Sequence, residues 1–189
     1  LASRLRVLDE IESEVLRAVR DEDERVASKA ALLVGLLNGP GPEAALRYSL
    51  EHASDRVRAN ALESFARDAE SNDQLRPYLG DAASRVRANA IRHLLRAQGK
   101  SLSPESALID MLADPRPGHR LSAVWAAQSA GAIDLAGRID DMSKTDPDPA
   151  VVTRARSCST YFNRLFRAGW SSKNTPSVTV RPQTRRHVG

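Results

Sequence analysis

Cysteine is nearly absent from this chain of 189 residues: Cys158 is the only one. A single thiol excludes an internal disulfide framework and a cysteine-rich zinc site. Aromatic residues make up only 4% of the sequence. Strands draw on aromatic and β-branched residues, so a chain dominated by Ala, Leu, Arg and Val points to packed helices. No apolar run approaches the roughly 20 residues that span a bilayer, and no charged, apolar and small-residue succession marks a signal peptide. The expectation is a cytoplasmic protein whose start at Leu1 fits a domain cut from a longer, bacterial-type chain.

Chemistry-bearing motifs are equally scarce. The histidines, at positions 52, 93, 119 and 187, lack metal-ligand spacing. There is no phosphate-binding glycine loop and no GxSxG. The acidic run Asp21, Glu22, Asp23, Glu24 lacks the glycine and ligand spacing of a calcium loop and reads as a helix start, where the dipole favours acids. Cys158 falls on the apolar stripe Val151, Ala155, Cys158, Phe162, Leu165, the position of a buried packing residue. The chain is therefore expected to be non-catalytic, with no cofactor and no metal.

What the sequence does contain is a repeat. RVRANA occurs at residues 56–61 and again at 85–90. Aligning on its Val gives five anchors, Val26, Val57, Val86, His119 and Val151, separated by 31, 29, 33 and 32 residues. Ala follows each anchor by four residues, one helical turn, at Ala30, Ala61, Ala90, Ala123 and Ala155. Five residues before the anchors stand Asp21, His52, Asp81, Asp114 and Asp146. Between the anchors, the stretches 42–51, 71–79, 103–113 and 132–143 again show helical apolar spacing. Such a unit of helix, turn and helix cannot bury its apolar face alone, so neighbours must stack along one shared core. The fold class is all-α: an α-solenoid, or α-α superhelix, of about five repeats over residues 1–168, followed by a basic tail over 169–189 without the apolar content for a core.

Asp, four residues, Val-Arg, two residues, Ala and an aliphatic residue resembles the second half of a HEAT repeat. The short period is similar to that of the HEAT-like repeat named for phycobilisome lyases. In arrays of that kind Asp and Arg hold the turns in register. The resemblance therefore implies a ladder of Asp21, Asp81, Asp114 and Asp146 with Arg58, Arg87 and Arg120. Ala27 and Val152 replace the arginine in the outer copies, and His52 replaces one aspartate. Asn60 and Asn89, poor helix formers, are expected to secure a neighbouring turn.

The concave surface of such an array implies a protein or peptide partner. Arg56, Glu63, Arg85, Arg92 and His93 on the second helices are candidate contacts, and Arg154, Arg156, Arg164 and Arg167 on the last helix are basic candidates. Charge is unevenly distributed. Residues 1–148 carry 20 Lys and Arg against 24 Asp and Glu, whereas residues 149–189 carry 8 basic residues and no acid. Two other readings follow: a bilin-lyase-like enzyme or accessory, implied by the resemblance, and a weak, salt-dependent contact of the basic end with nucleic acid or an anionic surface.

Overall fold

The computed structural model describes residues 2–65, 72–97 and 103–169. Every regular element among them is helical: α1 Ala2–Ala18, α2 Glu24–Val34, α3 Pro40–Leu50, α4 Asp55–Phe65, α5 Asn72–Leu75, α6 Ser84–Arg96, α7 Ser103–Leu112, α8 Pro117–Ala130, α9 Ala136–Thr145 and α10 Pro149–Arg167. Two 3-10 segments, Arg76–Gly80 and Ile133–Leu135, extend α5 and lead into α9. Even-numbered helices are the second helices of five repeats, and each packs on its own first helix and on the second helix of the adjacent repeat. This is an α-solenoid.

Local chemistry accounts for the boundaries. Asp23 caps α2 by accepting from the Arg25 N–H, and Asp148 caps α10 by accepting from Ala150 and Val151. Pro40, Pro117 and Pro149 occupy first-turn positions where no amide is missed. Pro77 interrupts the first helix of repeat three, which continues as a 3-10 turn because proline lacks the N–H that an α-helix interior needs. Gly131 ends α8 in the left-handed region, φ 70°. At Gly35 the constraint is space: a Cβ there would lie 2.4 Å from the Cβ of Ser64, so α2 and α4 meet without room for a side chain.

One core runs from α2 to α10. Val57, Val86, Val151, Leu62, Ile91, Val124, Ala61, Ala90, Ala123 and Ala155 are fully buried in it. Each buried Val, Leu or Ile contributes about 1.5–3 kcal/mol relative to exposure. Cys158 and Phe162 are fully buried on α10. A smaller cluster joins Val19 to Ala30, Val34, Ala45 and Leu46, docking α1 at one end.

Val26, aligned with the core valines, is instead 39% exposed. The anchor and the residues three and seven positions on face the preceding second helix. α2 has none before it, so Val26, Lys29 and Leu33 share an uncovered edge. Arg156 reflects the same geometry at the other end: its slot, aliphatic in the inner repeats, faces a following second helix, and after α10 the side chain stands exposed. The tail from Trp170 to Gly189 lies outside the described residues.

Candidate interaction face

The Asp or His slot has one local task in all five repeats: it accepts the N–H two residues on. Asp21 accepts from Asp23 at 2.9 Å, His52 Nδ1 from Ser54 at 3.0 Å and Asp81 from Ala83 at 2.8 Å. Asp114 accepts from Arg116 and Asp146 from Asp148, both at 2.9 Å. A neutral imidazole nitrogen substitutes for a carboxylate oxygen here, which accounts for His52 in the aspartate slot.

Two of these carboxylates also receive an arginine from the repeat before. Arg58 meets Asp81 through Nε and Nη2, each 3.1 Å, while its Nη1 donates to the carbonyls of His52 and Ala53. Arg120 repeats this arrangement on Asp146, with both bonds 2.8 Å, and on the carbonyls of Asp114 and Pro115. Hydrogen bonding from Arg120 holds the Asp146 carboxyl below its usual range. Arg87 is not brought to Asp114. That carboxylate is held by Arg116 from two residues away, its pKa well below the carboxylate range, and Arg87 keeps a 3.4 Å contact with the Ala107 carbonyl and a buried, unpartnered Nε. Asp21 belongs to the first repeat, which has none before it to send an arginine, and the slot that would serve His52 holds Ala27, fully buried.

The repeated asparagines join neighbouring second helices. Asn60 Nδ2 donates to the Ser28 carbonyl at 2.7 Å, and Asn89 Nδ2 to the Ala59 carbonyl at 2.9 Å. The second RVRANA therefore binds the backbone of the first. Ser28, Ala59 and Ala88, essentially without exposure, are small where the next helix passes.

On the opposite side of the second helices, turned away from the first helices, lies a continuous polar face. Arg85 Nη2 reaches Asn60 Oδ1 at 2.9 Å and Glu63 Oε2 at 3.2 Å. Two turns further along α6, the Arg92 guanidinium lies over the Trp125 ring, 5.1 Å from its centroid. Its Nη2 donates to His93 Nε2 at 2.7 Å, so the imidazole is a neutral acceptor. Burial, then the charges of Arg92 and Arg96, push the His93 pKa down to about 3. Arg96 Nε donates to the Ser129 carbonyl on α8 at 3.0 Å. Arg56 is exposed and forms no hydrogen bond or ion pair among the described residues. The sequence α6, α8 and α10 contains no Asp or Glu, so Glu63 is the acid that this middle stretch of the face meets.

Arg154, half-buried, and Arg156, Arg164 and Arg167, exposed, stand on α10, apart from the Arg85 to Arg96 row. Beside them Asp140, Gly137, Ser159, Asn163 and Phe166 line an open groove of about 400 Å³ between α9 and α10. Arg96 and Trp125 were missing from the candidates read in sequence. Their signal was positional: Trp125 lies six residues after its anchor, as Arg92 and Glu63 do after theirs.

No constellation for catalysis forms among the described residues. No cluster of three His, Cys, Asp or Glu is disposed to hold a metal ion there. Burial raises the Cys158 thiol to about 12, and no base lies against it. Among the described residues no helix is long and apolar enough to cross a membrane.

An all-helical solenoid of short HEAT-like repeats is thus the class that fold and face define. Among solved structures, the chain is similar to one chain of the complex of CpcE and CpcF of phycocyanin lyase from Nostoc sp. PCC7120, with a TM-score of 0.56 and 18% identity over 78% of this chain and 96% of that one. No family model matches the sequence, and no curated protein does.

Proposed function

We propose that this chain is a non-catalytic binding module whose second-helix face receives a protein or peptide partner, with repeats of the phycobilisome-lyase HEAT-like type. The carrying observation is the row of contacts that joins three successive second helices, α4, α6 and α8: Glu63 with Arg85, Arg92 with Trp125, and Arg96 with the Ser129 carbonyl. Arg and Trp are the side chains enriched at interface centres, and a face built on rigid helices receives a partner with little reorganisation. The similar solved structure is itself a complex of two proteins, which is consistent with a docking role for such a fold. The cytoplasm remains the compartment we assign.

The test is photocrosslinking. A photoreactive residue is placed at Glu63 or Ser157 on the second helices, and at Glu10 or Asp110 on the first helices, in chains with and without residues 170–189. The proposal predicts one recurring protein adduct from the second-helix positions, resistant to salt and independent of the tail. Adducts only from the first helices, or loss of all binding with the tail, would overturn it.

A further inference from the structure

The partner's chemistry can be read from what the face leaves uncompensated. Arg85 is ion-paired with Glu63, Arg92 feels the Glu63 charge only at longer range, and among the described residues neither Arg92 nor Arg96 is in an ion pair. Arg92 gives one nitrogen to a neutral imidazole and keeps a buried Nε without any partner. Arg96 gives its donors to a main-chain carbonyl. Two guanidiniums one helical turn apart, one held over an indole, keep their Nη1 nitrogens without a hydrogen bond among the described residues. Guanidinium nitrogens left open in this way donate charge-assisted hydrogen bonds to carboxylates.

Exposed apolar side chains stand elsewhere along the row of second helices. Leu32 on α2 and Leu36 just after it are 37% and 60% exposed, and Leu121 on α8 and Tyr161 on α10 are 36% and 38% exposed. Nucleic acid would present an unbroken line of phosphates and no aliphatic side chains, and would favour bare aromatic platforms on which bases stack. Here the Trp125 face is occupied by Arg92, and residues 1–148 as a whole carry more acid than base. Charge complementarity therefore selects a peptide over a phosphate polymer.

Resting on the binding-module reading, we infer that the second-helix face takes an acidic peptide segment of a partner protein, its carboxylates on Arg92 and Arg96 and its flanking apolar side chains on Leu32, Leu36 and Tyr161. Arg85 and Glu63 form the upstream edge of this site, where Glu63 repels a further carboxylate and sets the register of the acidic stretch.

The test uses the full chain carrying Trp170→Phe, which leaves Trp125 as the reporter because the protein has two tryptophans. The probes are a fluorescein-labelled peptide alternating Glu and Asp with Leu and Phe, the same peptide with Lys for each acid, and a single-stranded DNA oligonucleotide. The acidic peptide should change Trp125 emission saturably. Arg92→Glu with Arg96→Glu should weaken its binding by about tenfold or more, and so should Arg96→Glu alone to a lesser extent, since that exposed residue can be reversed without disturbing the Trp125 stack. Arg164→Glu with Arg167→Glu, the same change in net charge at the cap, should leave binding unchanged. Equal binding of the Lys peptide, equal loss with the cap variant, or displacement of the peptide by tighter-binding DNA would overturn the inference. Failure of the peptide to bind while crosslinks persist at Glu63 and Ser157 rejects the acidic occupant but leaves the module standing. Loss of both rejects both.

Discussion

Arg116 grips Asp114 through two side-chain bonds, Nε to Oδ1 at 2.9 Å and Nη2 to Oδ2 at 2.8 Å, and so takes the carboxylate that stands in line with Asp81 and Asp146. The inter-repeat rungs made by Arg58 and Arg120 consequently flank a gap at Arg87. A local pair two residues apart closes with little chain ordering, whereas Arg87 would have to reach from the repeat before. These rungs tie the second repeat to the third and the fourth to the fifth, while the third and fourth are joined by packing and by Arg96 on the Ser129 carbonyl.

The rungs therefore differ in strength. Arg120 and Asp146 have side chains only 10% and 4% exposed, against 18% and 12% for Arg58 and Asp81. Removing one member of a buried pair strands the other, at a cost of about 3–5 kcal/mol for full burial and less with solvent access. Urea unfolding should rank Arg120→Ala as most destabilising, near the lower end of that range, then Arg58→Ala, then Arg87→Ala. Arg87→Ala as the costliest of the three would contradict the geometry.

If Arg116 blocks the missing rung, deleting it should restore one. In an Arg116→Ala background, Asp114 is free to accept Arg87, and Arg87→Ala should then cost more than it does in the wild-type chain. A double-mutant cycle read by urea melts measures this coupling. Identical costs in both backgrounds would mean that Arg87 cannot reach Asp114.

The architecture was legible in sequence because the repeat reports shared neighbours: Ala61, Ala90 and Ala123 recur where each second helix meets the same core. Asn60 and Asn89 were legible for the same reason, as identical letters binding identical carbonyls. Arg87 was not, since its competitor Arg116 stands in a slot that holds Asp23, Ser54, Ala83 and Asp148 in the other repeats and so carries no repeated signal. The exposure of Val26 was not legible because a periodic pattern says nothing about which copy lacks a neighbour. The stack of Arg92 on Trp125 joins two residues 33 positions apart that only the lateral packing of α6 on α8 brings together. The shortened α5 follows from Pro77, visible in sequence but read there as part of a continuous apolar stretch.

His93 gives stability a pH dependence of definite sign. Folded, it stays neutral down to about pH 3, because burial, Arg92 and Arg96 all disfavour its charged form. Unfolded, it takes up a proton near its ordinary value of about 6.5. Between those values the unfolded chain binds more protons, so stability is highest above pH 6.5 and falls as pH drops through the window, by about 2 kcal/mol at pH 5. His119, also depressed, mainly by burial, acts in the same direction. Urea melts at pH 7.5 and pH 5 should show the loss, and His93→Gln should remove the larger part of the difference. An unchanged pH dependence in that variant would rule His93 out as its source.

Cys158 offers a direct readout of whether the last repeat holds together. Its side chain is fully buried beside Val151, Ala155 and Phe162, and burial raises the thiol to about 12, so at pH 8 the native chain presents almost no thiolate and no path to it. A disulfide-exchange reagent should therefore react only when α10 opens. Labelling should be slow in buffer and complete in denaturant. Phe162→Ala removes the largest side chain packed there and should cost about 3–5 kcal/mol, raising the native-state labelling rate about tenfold for each 1.4 kcal/mol lost. Arg164→Ala, on the exposed side of the same helix, should leave that rate unchanged. Rapid labelling of the unmodified native protein would place Cys158 outside the core and undo the packing of α10 described above.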